Sequence, residues 1–172
     1  MKKALLFGSI GVLTETSELQ RRAYNKALKL NDIEYTWNIG TYCELLKKPG
    51  GKKRLSSFGG KILSDEQIEK IHIDKQQIFE DLVKDGIEPR PGCLQTLKKC
   101  KELGIKVGFI TTTTPKTINI IKEGLSNFLD FEDFDLITSN QKVTFDKPNP
   151  EVYKYALKEL GISANDAVAI ED

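Results

Sequence analysis

Apolar and polar positions along this chain follow two patterns in turn. The first is a short apolar run, Ala4-Leu5-Leu6-Phe7, led in by Lys2-Lys3, which predicts a buried β-strand. It passes directly into Gly8-Ser9-Ile10-Gly11-Val12-Leu13. A 3.6-residue period then takes over: Leu19, Ala23, Ala27 and Leu30 share one face of a helix over about residues 17–30. Residues 37–48 form a shorter amphipathic stretch ended by Pro49-Gly50-Gly51, and a third helix is predicted over 52–58, before Gly59-Gly60. Ser64-Asp65-Glu66-Gln67 has the form of a capping box, and Ile68, Ile71, Ile78, Phe79, Leu82 and Val83 line the long helix it opens. Residues 16–86 therefore read as all-helical.

After Pro89-Arg90-Pro91-Gly92 the pattern changes. A helix carrying Leu94 and Leu97, stopped by Gly104, leads into an apolar strand over 105–110. Pro115 opens the next helix, whose Ile118, Ile121 and Leu125 face inward. A short strand over 135–138, a helix over 150–160 stopped by Gly161, and a strand over 167–170 complete the run. Helices alternating with apolar strands predict a parallel sheet with helices on both faces. The fold class is α/β, a sheet core over 1–15 and 87–172 interrupted after its first strand by an all-helical insertion over 16–86.

Composition narrows the partners. At 172 residues the chain holds one core plus a small inserted domain, and 39% apolar with 30% charged residues suits a soluble globular protein. Lys plus Arg number 26 against 25 Asp plus Glu, which argues against nucleic acid or an anionic membrane as partner. Cys43, Cys93 and Cys100 lack metal-site spacing and read as core thiols in a reducing cytoplasm. The start superficially resembles a signal peptide, but Gly8, Ser9 and Gly11 break the apolar run and no small-x-small site precedes Glu15. No run reaches the roughly 20 apolar residues of a membrane span. A cytoplasmic monomer is expected.

In parallel α/β sheets, ligands sit outside the carboxyl ends of the strands. Residues 8–11, 111–114 and 171–172 lie at such ends and are expected to share one crevice, roofed by the helical insertion. Thr111-Thr112-Thr113-Thr114 ahead of Pro115 suits a phosphate cradle at a helix start; threonine equally suits strand ends and caps. Lys147, before Pro148-Asn149-Pro150, can neutralise a phosphate or a carboxylate, or lie solvated in its loop. Glu171-Asp172 are oxygen donors of the kind Mg²⁺ prefers, or merely a charged strand exit. Gly50-Gly51-Lys52-Lys53-Arg54 puts cations at a glycine-rich helix start, suited to an anion or to solvent.

That order of hydroxyl, lysine and acidic pair resembles the haloacid-dehalogenase-type phosphatases. The Gly-Gly-Lys-x-Arg turn and the threonines before Pro115 resemble its CbbY-like, β-phosphoglucomutase-like branch of sugar-phosphate phosphatases, across residues 3–172. The resemblance implies a Rossmann-like core with a helical cap, and Mg²⁺-dependent removal of phosphate from a sugar bisphosphate through a phosphoaspartyl intermediate. By the same resemblance Thr111, Thr112, Thr113 and Lys147 bind the reacting phosphate and Glu171 and Asp172 bind the metal. Gly51, Lys52 and Arg54 grip a distal phosphate, and Glu15 matches a cap-hinge acid.

The departures carry as much information. The family's first strand ends in Asp-x-Asp-Gly, nucleophile first and proton donor second; this chain keeps Gly11 but has Gly8 and Ile10 at those positions. Loss of a general acid is worth about 10²–10⁴ in rate, and loss of the nucleophile removes the covalent route. Gln20 and Gln141 stand where relatives carry a histidine and an aspartate. Ser9 offers no replacement, because the side chain between the two aspartates points away from the site in the family, and Gly8-Ser9-Ile10-Gly11 is not a Gly-x-Ser-x-Gly elbow. Lys147, without an anionic partner, is expected to be a freer phosphate binder. Mg²⁺ binding is expected to be weak or absent, resting on Asp172, with or without Glu171, and the carbonyl of Ile10. His72 is expected to be solvated. In the family the chain continues past the acidic pair; stopping at Asp172 reads as a missing C-terminal end that leaves a sheet edge open and the terminal carboxylate beside the metal site. The leading expectation is a catalytically silent homologue that retains some affinity for phosphorylated sugar. The alternatives are a residual Mg²⁺-dependent phosphatase using Glu15 or water activated by Asp172, and a non-enzymatic interaction protein or decaying fragment.

Overall fold

A computed structural model describes residues 2–47, 50–56 and 63–172. The chain divides into two compact units, Ser17–Asp85 and Met1–Thr16 with Gly86–Asp172.

The unit Ser17–Asp85 contains α1 (Ser17–Leu30), α2 (Ile39–Leu46), α3 (Gly51–Ser56) and α4 (Asp65–Lys84), with no strand among its described residues. Its core joins Tyr24, Ala27 and Leu28 of α1 to Trp37, Tyr42, Leu55, Ile68 and Ile71. Trp37 is fully buried, its ring 4.8 Å from Tyr24 and 5.8 Å from Tyr42. It precedes α2 rather than lying in it, because Asn38 takes an extended backbone and caps the helix by accepting from Thr41 N. Asn25 fixes Trp37 from α1: Trp37 N donates to Asn25 Oδ1 at 2.8 Å and Asn25 Nδ2 donates to Trp37 O at 3.0 Å.

Leu30, expected inward, is 66% exposed. The buried stripe of α1 is Ala23, Tyr24, Ala27 and Leu28, rotated toward the aromatic cluster of Trp37 and Tyr42. The Ser64–Gln67 capping box forms reciprocally, and Ile68, Ile71, Phe79, Leu82 and Val83 of α4 are buried. The expected reach of the third helix to Phe58, and of the second to Lys48, falls outside the described residues. Cys43 is exposed, against the expectation of a core thiol, whereas Cys93 and Cys100 are buried.

The other unit is built on β1 (Ala4–Gly8), β2 (Lys106–Ile110), β3 (Leu136–Ile137) and β4 (Ala167–Ile170). All pairings are parallel, in the order β3-β2-β1-β4. β1 is paired on both edges and buried along nearly its whole length, and that burial accounts for its near-continuous apolar sequence. β2 starts at Lys106 rather than 105. β3 is shorter than predicted, although Asp135 N donates to Val107 O and Thr138 N to Phe109 O at 2.8 and 3.0 Å on either side of it. Around the sheet run α5 (Cys93–Glu102), α6 (Pro115–Gly124) and α7 (Glu151–Leu160). Val152, Ala156 and Leu160 of α7 pack on Ala4, Leu6 and Ile110, one face of the pleat. Phe109 points to the other face and meets Phe131 edge-on at 5.4 Å and Phe134 at 5.6 Å. Pro115 occupies the first turn of α6 behind the cap Thr114, and Gly161 ends α7 with φ +66°.

Candidate functional site

Strand register brings the predicted strand-end residues together. Gly8 pairs with Ile110 and Phe7 with Ile170, so Ser9 and Thr111 leave the sheet together and Glu171 leaves it one residue earlier, level with Gly8. Lys147 reaches the same end: its Nζ donates to Ile110 O at 3.2 Å and to both oxygens of Glu171, at 2.9 and 3.0 Å. Tyr153 Oη, from the first turns of α7, also donates to Glu171 Oε1. Burial, together with the hydrogen bond and the charge of Glu171, pushes the Tyr153 phenol well above its ordinary pKa, so it stays a proton donor to that carboxylate. Lys147 is therefore not the freer lysine expected from the sequence; Glu171 is its anionic partner.

Two glycines explain how the acids fit. A Cβ on Gly8 would lie 2.4 Å from Glu171 Oε2 and 2.9 Å from its Cδ, and one on Gly11 would lie 2.3 Å from Asp172 Oδ2. Gly11 also has φ +86°, a conformation that suits glycine. Both carboxylates thus lie in space that the glycines of the first loop leave open. A carboxylate stands over the end of β1, supplied by β4 rather than by β1 itself.

The threonines divide by role. Thr111 is buried: its Oγ1 accepts from Ser9 Oγ at 3.1 Å and from Thr113 N at 3.1 Å, and its N donates to Thr138 Oγ1 at 2.8 Å. Ser9 was expected to point away, yet its hydroxyl rests on Thr111. Thr112 Oγ1 accepts from Lys147 N at 3.4 Å. Thr114 acts as the cap of α6, accepting from Thr117 N. Glu15 is exposed and lies 3.8 Å from the Arg90 guanidinium.

A second cationic cluster lies in the helical unit. Lys52 is exposed and pairs with Glu69, so its charge is already answered at the surface. Arg54 donates from Nε to Leu45 O at 3.1 Å and lies over the Tyr42 ring at 5.9 Å. Gly51 is required by close approach, since a Cβ there would be 2.5 Å from Tyr24 Oη and 3.2 Å from His72 Cε1. His72 is half-buried against this turn rather than solvated.

Lys75, not among the residues expected at a site, is only 4% exposed. Its Nζ lies 4.9 Å from the Tyr24 ring and 5.0 Å from the Phe79 ring, and donates to the neutral amide of Gln76 at 3.1 Å. Burial, reinforced by the charge of Arg54, lowers its pKa to about 7. The signal was present in the periodicity: position 75 falls between Ile71 and Phe79 on the apolar stripe of α4, where a lysine is out of place.

Carboxylate-rich sites hold Mg²⁺ through several oxygens at once. Here the residues do not fit a resident ion. Glu171 is committed to Lys147 and Tyr153 and Gly8 has no side-chain donor, which leaves Asp172 and the backbone carbonyl of Ile10 among the expected ligands. Among the described residues no group of three His, Cys, Asp or Glu side chains converges to hold a metal. No helix among them is long and apolar enough to cross a membrane.

Comparison with known proteins places this architecture. Residues 2–172 match the family of haloacid dehalogenase-like hydrolases. Protein CbbY of Cereibacter sphaeroides is 34% identical over 100% of this chain and 76% of its own length. The phosphorylated carbohydrates phosphatase of Thermotoga maritima is 26% identical over 99% of this chain and 76% of its own. Among solved structures, a mutant CbbY from Rhodobacter sphaeroides in complex with xylulose-1,5-bisphosphate superposes with TM-score 0.88 at 34% identity, covering 100% of this chain and 78% of that one. From its strand order, its helical insertion and these likenesses, the chain belongs to the haloacid dehalogenase-like hydrolases, in their CbbY-like branch of sugar-phosphate phosphatases.

Proposed function

We propose that this protein binds the phosphoryl group of a phosphorylated sugar at the carboxyl ends of β1, β2 and β4 without turning it over. One observation carries the reading. Lys147 and Thr111 to Thr113 gather at the end of β1, while β1 and its loop offer only Gly8 and Ile10. In the proposed alignment those two residues hold the nucleophile and proton-donor positions, and neither can attack phosphorus or deliver a proton. Residues 1–15 and 87–172 then act as the phosphate-binding core and residues 16–86 as the cap. The solved relative that carries xylulose-1,5-bisphosphate supports a sugar bisphosphate as the ligand class. Gly51, Lys52 and Arg54 are the residues proposed for a second phosphate, Lys52 on release from Glu69. Mg²⁺, where it enters, arrives with phosphate oxygens that make up its missing ligands. The working form is taken to be a cytoplasmic monomer.

Phosphate release from a panel of sugar mono- and bisphosphates, with Mg²⁺ and concentrated protein, tests this reading. Calorimetric titration with the same compounds runs beside it. The expected result is binding of a bisphosphate without release above an Asp172→Asn control. Release that disappears in Asp172→Asn overturns the silent reading. If it also disappears in Glu171→Gln, the carboxylate over Gly8 is the substitute nucleophile, rather than the exposed Glu15.

A further inference from the structure

We infer that Glu171 is a built-in competitor for the strand-end phosphate site, so that phosphate gains Lys147 only by displacing this carboxylate. The inference rests on the reading above that phosphate binds there. A lysine ammonium has three N–H donors and no acceptor. Those of Lys147 meet both oxygens of Glu171 and the carbonyl of Ile110, leaving no donor for an incoming anion. The pair is partly sheltered, with the side chains of Lys147 and Glu171 only 24% and 32% exposed. Tyr153 holds the carboxylate from a third direction.

What allows the arrangement is Gly8. Any Cβ at that position would collide with the Glu171 carboxylate, 2.4 Å away. The residue that leaves β1 without a carboxylate is the same one that lets the β4 carboxylate fold over the strand end. An anionic ligand at this place meets a neutralised lysine and a like charge beside it. Removing that charge returns the lysine to the ligand and takes away the repulsion, a change of about tenfold in affinity for a half-sheltered contact.

The test titrates inorganic phosphate into the 172-residue protein by calorimetry at low ionic strength. Glu171→Gln removes the competing charge, and Gly8→Ala displaces the same carboxylate sterically without altering any charge. Both are expected to bind phosphate about tenfold more tightly than the parent. Lys147→Ala in either background should abolish the gain, and circular dichroism verifies that each variant is folded. Unchanged or weaker binding in folded Glu171→Gln and Gly8→Ala overturns the competition while leaving the phosphate site of the parent intact. Phosphate binding by neither the parent nor the variants overturns the site and the competition together.

Discussion

Two lysines, one in each unit, deal with their charge in opposite ways. Lys147 at the strand ends is held by a carboxylate on both oxygens and by a backbone carbonyl. Lys75 in α4 is more deeply buried, yet its hydrogen bond goes to a neutral amide and its charge faces two aromatic rings, with no carboxylate paired to it among the described residues. The first cation is stable and must be unlocked before it serves a ligand. The second costs the fold the desolvation of a charge without a carboxylate partner, offset in part by the ring faces. The two glycines beside them repeat the contrast: a Cβ on Gly51 strikes a packed tyrosine, whereas one on Gly8 strikes the movable end of a glutamate.

The largest effect expected from breaking this contrast is at Lys75. Lys75→Met keeps the volume and removes the buried charge, so the helical unit should gain about 2 kcal/mol in urea unfolding near neutral pH. Trp37, the one tryptophan of the chain, reports that unit by its fluorescence. Equal stability of the variant and the parent would mean that Lys75 is not strained in the fold.

Gly51→Ala comes next, with a loss of about 1 kcal/mol, the low end for overpacking, because the hydroxyl it meets belongs to a ring locked against Trp37 and Tyr42. An unperturbed midpoint would show that the Tyr24 ring can move aside.

A pH series sharpens the comparison further. Folded Lys75 releases its proton near pH 7, whereas an unfolded lysine keeps it to about 10.4. Between those values the unfolded chain binds more protons, so stability should rise with pH from about 7 toward 10, and the burial penalty is fully present below pH 7. Lys75→Met should lack that rise. A slope common to both proteins would assign it to other groups.

The smallest effect is at Gly8. Gly8→Ala should change stability by less than about 1 kcal/mol, since alanine suits a strand and the displaced carboxylate is flexible. A larger loss would mean that the Glu171–Lys147 pair carries more of the fold than its partial exposure suggests.

Much of the architecture was legible in the sequence, and the places where it was not share a cause. The capping box at Ser64, the proline at the start of α6 and the glycine at the end of α7 are local signals, and each marks its element where it stands. Leu30 and Trp37 were misplaced because their positions depend on partners in other segments. The aromatic cluster turns α1 by its own shape, and Asn25 pins Trp37 outside α2. The candidate site shows the same division. Thr111, Lys147 and Glu171 were singled out by their places at strand ends, but that the last two pair with each other was not visible along the chain. Lys75 was visible as a lysine on an apolar stripe and was passed over among hydrophobic neighbours.

By itself, the sequence determined that strands and helices alternate around an all-helical insertion. It also determined that Gly8 and Ile10, rather than acids, end β1 and open its loop, because periodicity, caps and residue identity act over a few positions. Only the tertiary structure decided where the charges went. Parallel pairing of β4 with β1 delivers Glu171 over Gly8, 163 residues away in the chain's numbering and one strand away in space. Whether a lysine is paired, strained or open to a ligand depends on what surrounds it, and those surroundings are set by strand order and helix packing rather than by neighbours in sequence.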